Sequence, residues 1–282
     1  MTLTIGSAPL GGALGAEVSG LDASAKIDEA SALWLAGELS KHGVLVFRGL
    51  DDLSPQKLAE LGRCFGTLAV TPADPYSVPD YPEVTQLSNR KVDGKPIGWG
   101  GEQTNEWHSD VTYTRYPPRG ALLFGAEVPP QEAGGETPYI NLCAAYDALP
   151  EDLKVQIESL NAIHRYPESY GGKLSDEDQA LLPDVVHPVV IKHPRNGRKV
   201  LYVSPMMTVG IEGMSEEEGS ELLSRLFEHS IDEKFTYVHK WESGDLLVWD
   251  NHMTMHRSTD FDQNYSRYML RVMLEESETL AR

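Results

Sequence analysis

Apolar residues recur along this chain with two periods. In "IDEASALWLAGELSKHG" they follow helical spacing and stop at Gly43, after which the strand-like "VLVFRG" begins. "SPQKLAELGRCFG" predicts a second helix, with Ser54 as N-cap, Pro55 at its first position and Gly66 closing it. Strand-like runs follow at "EVTQLS", "ALLFGAEVP", "RKVLYVS", "FTYVHKW", "GDLLVWD" and "RYMLRVML". Helical stretches lie among them at "NLCAAYDALPEDLKVQIESL", where Pro150 opens the second helix, and over residues 215–229. Short strands without regular βαβ alternation predict an α+β fold, an antiparallel barrel or jelly roll with flanking helices outside. From residue 71 to 105 the chain is dense in Pro, Gly and Asp, which predicts a lid, with "GWGGE" from Gly98 to Glu102 as its hinge. No linker or repeat interrupts the pattern, so residues 1–282 form a single domain.

Composition narrows the partners. A formal net charge of −19 argues against nucleic acid or an anionic membrane surface and for a small-molecule substrate. No apolar run reaches the roughly 18 to 20 residues that span a bilayer. The opening stretch lacks the basic and apolar regions of a signal peptide. Cys64 and Cys143 both lie in apolar segments and read as buried free thiols, so a cytoplasmic protein is expected.

The chemistry begins at "EWHSDVTY". Read as a strand, it projects His108 and Asp110 from one face. Two histidines and one carboxylate on one face can bind an iron and leave three positions open, so a second histidine is required. His42, His164, His187, His193, His229 and His239 read as surface, cap or core residues. His252 and His256, in "GDLLVWDNHMTMHRST", lie where a strand turns at Asp-Asn and restarts; spacing alone does not choose between them. In "RYMLRVML" one face reads Arg267, Met269, Arg271, Met273 and the other Tyr268, Leu270, Val272, Leu274. Half-buried arginines need anionic partners, which means either an internal salt bridge or a carboxylate-binding clamp.

"WHSDVTY…PP", "GGET", "WDN-x4-H-R" and an arginine eleven residues after that histidine resemble the taurine dioxygenase and 2,4-dichlorophenoxyacetate dioxygenase family. These are Fe(II)- and 2-oxoglutarate-dependent oxygenases. The likeness runs nearly end to end, through "LGAEVSGLD", "GVLVFRG", "FGTL" and "HPVVIKHPRNGRKVLYV". It implies a double-stranded β-helix, with Fe(II) on His108, Asp110 and His256, so that His252 drops out. It implies that Thr137 and Arg267 hold the distal carboxylate of 2-oxoglutarate, and that O2 is consumed with release of succinate and CO2. The family is often dimeric or tetrameric, which implies a homo-oligomer.

Arg271 matches the family position that meets the substrate's acidic group, so a small organic anion, a carboxylate or sulfonate, is expected to be hydroxylated. Thr71 stands where taurine dioxygenase has a second, histidine contact, which argues against taurine itself. Tyr76, Trp99, Val111 and Tyr113 are further candidates for the substrate pocket. Glu102 and Glu106 leave room for an amine on the substrate. Three other readings remain at this stage: the same cofactor chemistry ending in desaturation or rearrangement of an amino-acid-like acid, a non-redox jelly-roll metalloprotein, and a non-catalytic relative of the fold.

Overall fold

The computed structural model describes residues 5–23, 25–50, 53–71, 74–100, 105–170 and 175–282. Its largest sheet has eight strands, with Val44–Phe47, Asp245–Asp250, Gly120–Glu127, Tyr268–Leu274 and Tyr81–Ser88 adjacent in that order and each antiparallel to the next, while Ala16–Ser19 joins Val44–Phe47 in parallel. A smaller sheet sets Thr137–Asn141 between Thr236–His239 and Thr254–His256, again antiparallel. The helices that the periodicity predicts are present, and Asp176–Leu181 adds one that it does not predict. Glu29–His42 is capped by Asp28, whose side chain accepts from Ser31 N–H, and it ends at Gly43 with a φ of 75°. Pro55–Gly62 is capped by Ser54, although Arg63 rather than Gly66 closes it.

Strand alternation divides the core into two sides. Leu246 and Val248, Leu122 and Phe124, and Leu270, Val272 and Leu274 pack with Leu35, Leu39, Leu58 and Leu61 of the two helices. The intervening residues Leu247, Trp249, Ala121, Leu123 and Met269 pack with Tyr139 and Trp241 near the smaller sheet. The larger sheet is therefore covered by helices on one face and by the smaller sheet on the other, as a jelly roll with flanking helices requires. Arg271, two residues from Met269 and half-buried, lies on the smaller-sheet side.

The "EWHSDVTY" stretch departs from the sequence expectation. Only His108 forms a bridge, to His256; Asp110 enters a turn, and Val111 follows it with a φ of 55°. The 71–105 segment is also more regular than its composition implies. Tyr81–Ser88 is a full strand of the larger sheet, and Lys91–Val92 pairs with Lys95–Pro96 in a hairpin. Gly98 is buried beside that strand, where a Cβ would lie 2.7 Å from Ser88 N. Close approach explains this glycine; Gly101 and Glu102 of the expected hinge lie outside the described residues. Cys64 and Cys143 are free thiols, Cys143 buried and Cys64 half-buried. Among the described residues no helix is long and apolar enough to cross a membrane.

Gly120→Ala would set a Cβ 2.3 Å from the Trp249 carbonyl oxygen across two central strands. The expected cost is about 2 kcal/mol or more of stability, read from urea unfolding, because backbone cannot yield there as a flexible side chain would. A second prediction concerns acid. His164 is buried with Nδ1 on the Thr112 hydroxyl, and burial, then the neighbouring His187, pushes its pKa down to about 3. Between pH 6.5 and about 3 the unfolded chain therefore takes a proton that the folded chain refuses. Stability should be level above pH 6.5 and fall by about 1.4 kcal/mol per pH unit below it from this residue alone. His164→Gln should lose less stability than the wild type between pH 7 and pH 5; equal losses would exclude His164 as the source.

Candidate active site

Two backbone hydrogen bonds join the turn to the smaller sheet: His108 N–H donates to His256 O at 2.9 Å, and His256 N–H to His108 O at 2.8 Å. This reciprocal pair brings the two imidazoles together, with ring centroids 4.4 Å apart. Asp110 completes the group, and one ligand atom from each of His108, Asp110 and His256 lies within 4.8 Å of the others. All three are at least nine-tenths buried. His252, the alternative left open by spacing, stands elsewhere, with its ring 6.3 Å from that of His193 beside the buried His193–Asp250 pair.

Each member of the triad is held from behind. His108 Nδ1 sits 2.8 Å from the Glu106 carbonyl oxygen, which requires the proton on Nδ1 and leaves the Nε2 lone pair free. Trp249 Nε1–H donates to Asp110 Oδ2 at 3.1 Å. The fully buried Asn251 side chain accepts from Asp110 N–H at 2.6 Å and donates to the carbonyl oxygens of Asp110 and Pro118, each at 2.9 Å. Tyr139 stacks on the His256 ring at 5.4 Å.

The electrostatics suit a divalent cation. Burial pushes His108 down, and burial with the facing His108 pushes His256 down to about 3, so both imidazoles are neutral donors. Burial opposes charge on Asp110, but His256, His108, Arg271 and the Trp249 N–H outweigh it and hold the carboxyl below its ordinary range. Two neutral imidazoles and one carboxylate on one side of a site form a facial donor set with open positions opposite.

Thr137 begins the central strand of the smaller sheet, and its Oγ1 accepts from Trp241 Nε1–H at 2.9 Å. Arg267 is buried with its guanidinium 5.5 Å from the Phe261 ring centroid, and its Nε has no partner among the described residues. Burial lowers its pKa to about 10, partly offset by Tyr139, so it remains charged at neutral pH. Arg271 has no ion pair among the described residues, and His108, Asp110 and His256 all feel its charge. An internal salt bridge thus explains neither arginine.

The remaining candidates divide. Tyr113 packs edge-on against Tyr166 at 5.0 Å and Tyr170 at 6.4 Å; burial, then Tyr166, pushes its hydroxyl up to about 12. Tyr113 and Tyr170 both feel Asp110 and Arg271, which puts this aromatic group beside the triad. Val111, adjoining Asp110, is half-buried. Tyr76 and Trp99 pack on each other at 5.0 Å, with Trp99 Nε1–H on Asp74. Thr71 is exposed and accepts from Asp74 N–H through its carbonyl. Glu106 faces solvent and contributes its carbonyl rather than its carboxylate. Sequence reasoning passed over Trp249, Asn251, Tyr139, Tyr166 and Tyr170; the first two stand in the "WDN" motif, which alone could have signalled a role.

Comparison with known proteins places these groups in a family. Residues 6–273 match the family described as taurine catabolism dioxygenase TauD, TfdA family. Pentalenolactone F synthase of Streptomyces avermitilis is 32% identical over 280 residues, covering 93% of this chain and 91% of that protein. The alpha-ketoglutarate-dependent 2,4-dichlorophenoxyacetate dioxygenase of Cupriavidus pinatubonensis is 34% identical over 247 residues, covering 83% and 84%. Among solved structures, AAD-2 in complex with Mn(II) and N-oxalylglycine superposes with a TM-score of 0.83 at 31% identity, covering 98% of this chain and 99% of the other. The buried triad and the unpaired arginines thus sit on a known oxidoreductase scaffold, and the chain belongs to the TauD, TfdA family of dioxygenases.

Proposed function

We propose that His108, Asp110 and His256 bind Fe(II), and that Arg267 and Thr137 hold the distal carboxylate of 2-oxoglutarate. The chain then oxidises, most simply hydroxylates, a C–H bond of a small organic anion, a carboxylate or sulfonate, with succinate and CO2 as coproducts. One observation carries this reading: a buried neutral-histidine and carboxylate triad shares its surroundings with two arginines that have no counter-ion among the described residues. A hydrolytic or purely binding metal site has no need of the second, distal carboxylate clamp. The relatives named as alpha-ketoglutarate-dependent, and the structural neighbour holding Mn(II) and N-oxalylglycine, support the same cofactor pair.

When bound, Fe(II) supplies the reduction of O2 coupled to decarboxylation of 2-oxoglutarate. The chain supplies position and dryness. Glu106 O fixes the His108 tautomer, and Trp249 Nε1–H orients Asp110, so both present fixed lone pairs. Arg271 offers a planar fork to the substrate acid and so aligns the C–H bond to be oxidised. Tyr113, with Tyr166 and Tyr170 packed on it, excludes water from that side. Similarity to a protein named as a synthase favours a second outcome, desaturation or rearrangement by the same chemistry in a biosynthetic pathway, which product analysis would separate.

Anaerobic titration of the metal-free protein with Fe(II) and then 2-oxoglutarate should give a weak visible charge-transfer band that requires both additions. Asp110→Ala should show no band while remaining folded by circular dichroism. If the wild type binds iron yet shows no band with 2-oxoglutarate, the proposal is wrong and a non-redox metal site takes its place. Removing the second clamp has a different signature. Arg271→Ala should raise the KM for the acidic substrate by about tenfold or more, the worth of a charge-assisted pair, and leave the 2-oxoglutarate requirement unchanged. An unaltered substrate KM would assign Arg271 another role.

A further inference from the structure

Thr137 and Tyr139 stand two apart on the strand Thr137–Asn141 and so share a face. Tyr139 is fully buried, and among the described residues its hydroxyl has no hydrogen-bond partner. The ring cannot easily swing to find one. It stacks on His256 at 5.4 Å and 22°, lies tilted against Trp249 at 5.8 Å, and is flanked in register by Tyr237 and His256 of the neighbouring strands. A phenylalanine would fill the same space without isolating a polar atom. Burying a hydroxyl unpaired is unfavourable by about 1–3 kcal/mol, so its retention points to a partner that arrives from outside the chain.

The neighbours identify what that partner is. The phenol lies within electrostatic reach of Arg267, whose own Nε is buried and unpaired. Thr137 Oγ1 accepts its hydrogen bond from Trp241, which leaves the threonine's own hydrogen free to donate. A guanidinium, a phenol O–H and a threonine O–H can each donate to one shared acceptor, and a carboxylate offers about four lone-pair sites. We propose that the Tyr139 hydroxyl donates to the distal carboxylate of 2-oxoglutarate, as a third anchor beside Arg267 and Thr137. This rests on the cosubstrate reading above and adds a binding residue to it. Tyr139 then has two duties: its ring holds the His256 imidazole in orientation, and its hydroxyl reads the far end of the cosubstrate. Cosubstrate length and triad geometry are thereby gauged by one side chain.

The test uses the Mn(II)-loaded protein, calorimetric titration and two ligands: 2-oxoglutarate, and 2-oxopentanoate, which lacks the distal carboxylate. Tyr139→Phe should weaken 2-oxoglutarate about tenfold and change 2-oxopentanoate less than twofold. The ligand-free variant should melt no lower than the wild type, because an unsatisfied buried hydroxyl has been removed. Unchanged 2-oxoglutarate affinity would overturn the role of Tyr139 and leave the cosubstrate reading standing. Equal weakening of both ligands, or a lower melting temperature, would overturn it in favour of a packing role. A wild type that binds neither ligand would overturn both this inference and the function on which it rests.

Discussion

The site depends on one reciprocal contact, the paired backbone hydrogen bonds between His108 and His256 at 2.9 and 2.8 Å. His108 precedes the strand Gly120–Glu127, and His256 ends a strand near the far end of the chain; no local rule brings them together. Once paired, their side chains leave adjacent backbone positions, and the spacing of the imidazoles is set by the sheet rather than by flexible side-chain torsions. Asp110 is then placed by what surrounds this bridge. Its amide and carbonyl both bind the Asn251 side chain, and its carboxylate meets the Trp249 indole. Trp249 and Asn251 flank Asp250, so the end of one strand and the turn after it control the third donor of the triad.

Around that frame the charge distribution is unusual for a protein so acidic. The whole chain carries −19, yet the smaller-sheet side of the strand Tyr268–Leu274 presents Arg271 with no counter-ion among the described residues, and the buried Arg267 lies just before the strand. Burying a cation without its partner opposes folding, and here that cost is retained. Apolar packing offsets it: Leu270, Val272 and Leu274 on the opposite face of the strand lie in the largest apolar cluster, against two helices. Strand alternation makes the arrangement feasible, because one face can serve the core while the other serves a ligand.

That alternation is why so much was legible in the sequence. The Arg-Met-Arg-Met face, the capped helices and the jelly-roll class follow from period and punctuation, which depend on neighbours in the chain. The H-x-D stretch misled in form, although the structure does bring His108 and Asp110 together with His256. A period of two predicted a strand, and the chain instead makes a single bridge and a turn through Val111. A β-branched residue is among the least expected at positive φ, so nothing local announces that turn. Tyr139 was invisible for another reason. In "TPYIN" it reads as ordinary strand core, and only the absence of a partner for its hydroxyl, a property of the assembled packing, distinguishes it. Tyr166 and Tyr170 belong to a loop whose approach to Tyr113 is likewise tertiary.

Val111 shows how the strain is kept. Its φ of 55° costs on the order of 1–3 kcal/mol, and relaxing it would rotate the Asp110 backbone out of the Asn251 amide. Two hydrogen bonds between the Asn251 side chain and the Asp110 backbone, one accepted and one donated by the amide, and two from Thr114 to the Val111 carbonyl hold the segment on either side of the strained residue. A strand there would relieve the strain, but it would carry the chain straight on and remove the carboxylate from the two imidazoles. The sharp bend is what allows neighbouring residues to do different work: His108 pairs with the sheet, Asp110 completes the triad, and Tyr113 reaches the aromatic group near Arg271. Backbone strain at one residue is thus the geometric condition for two members of the triad and an aromatic contact beside it to arise from six consecutive positions.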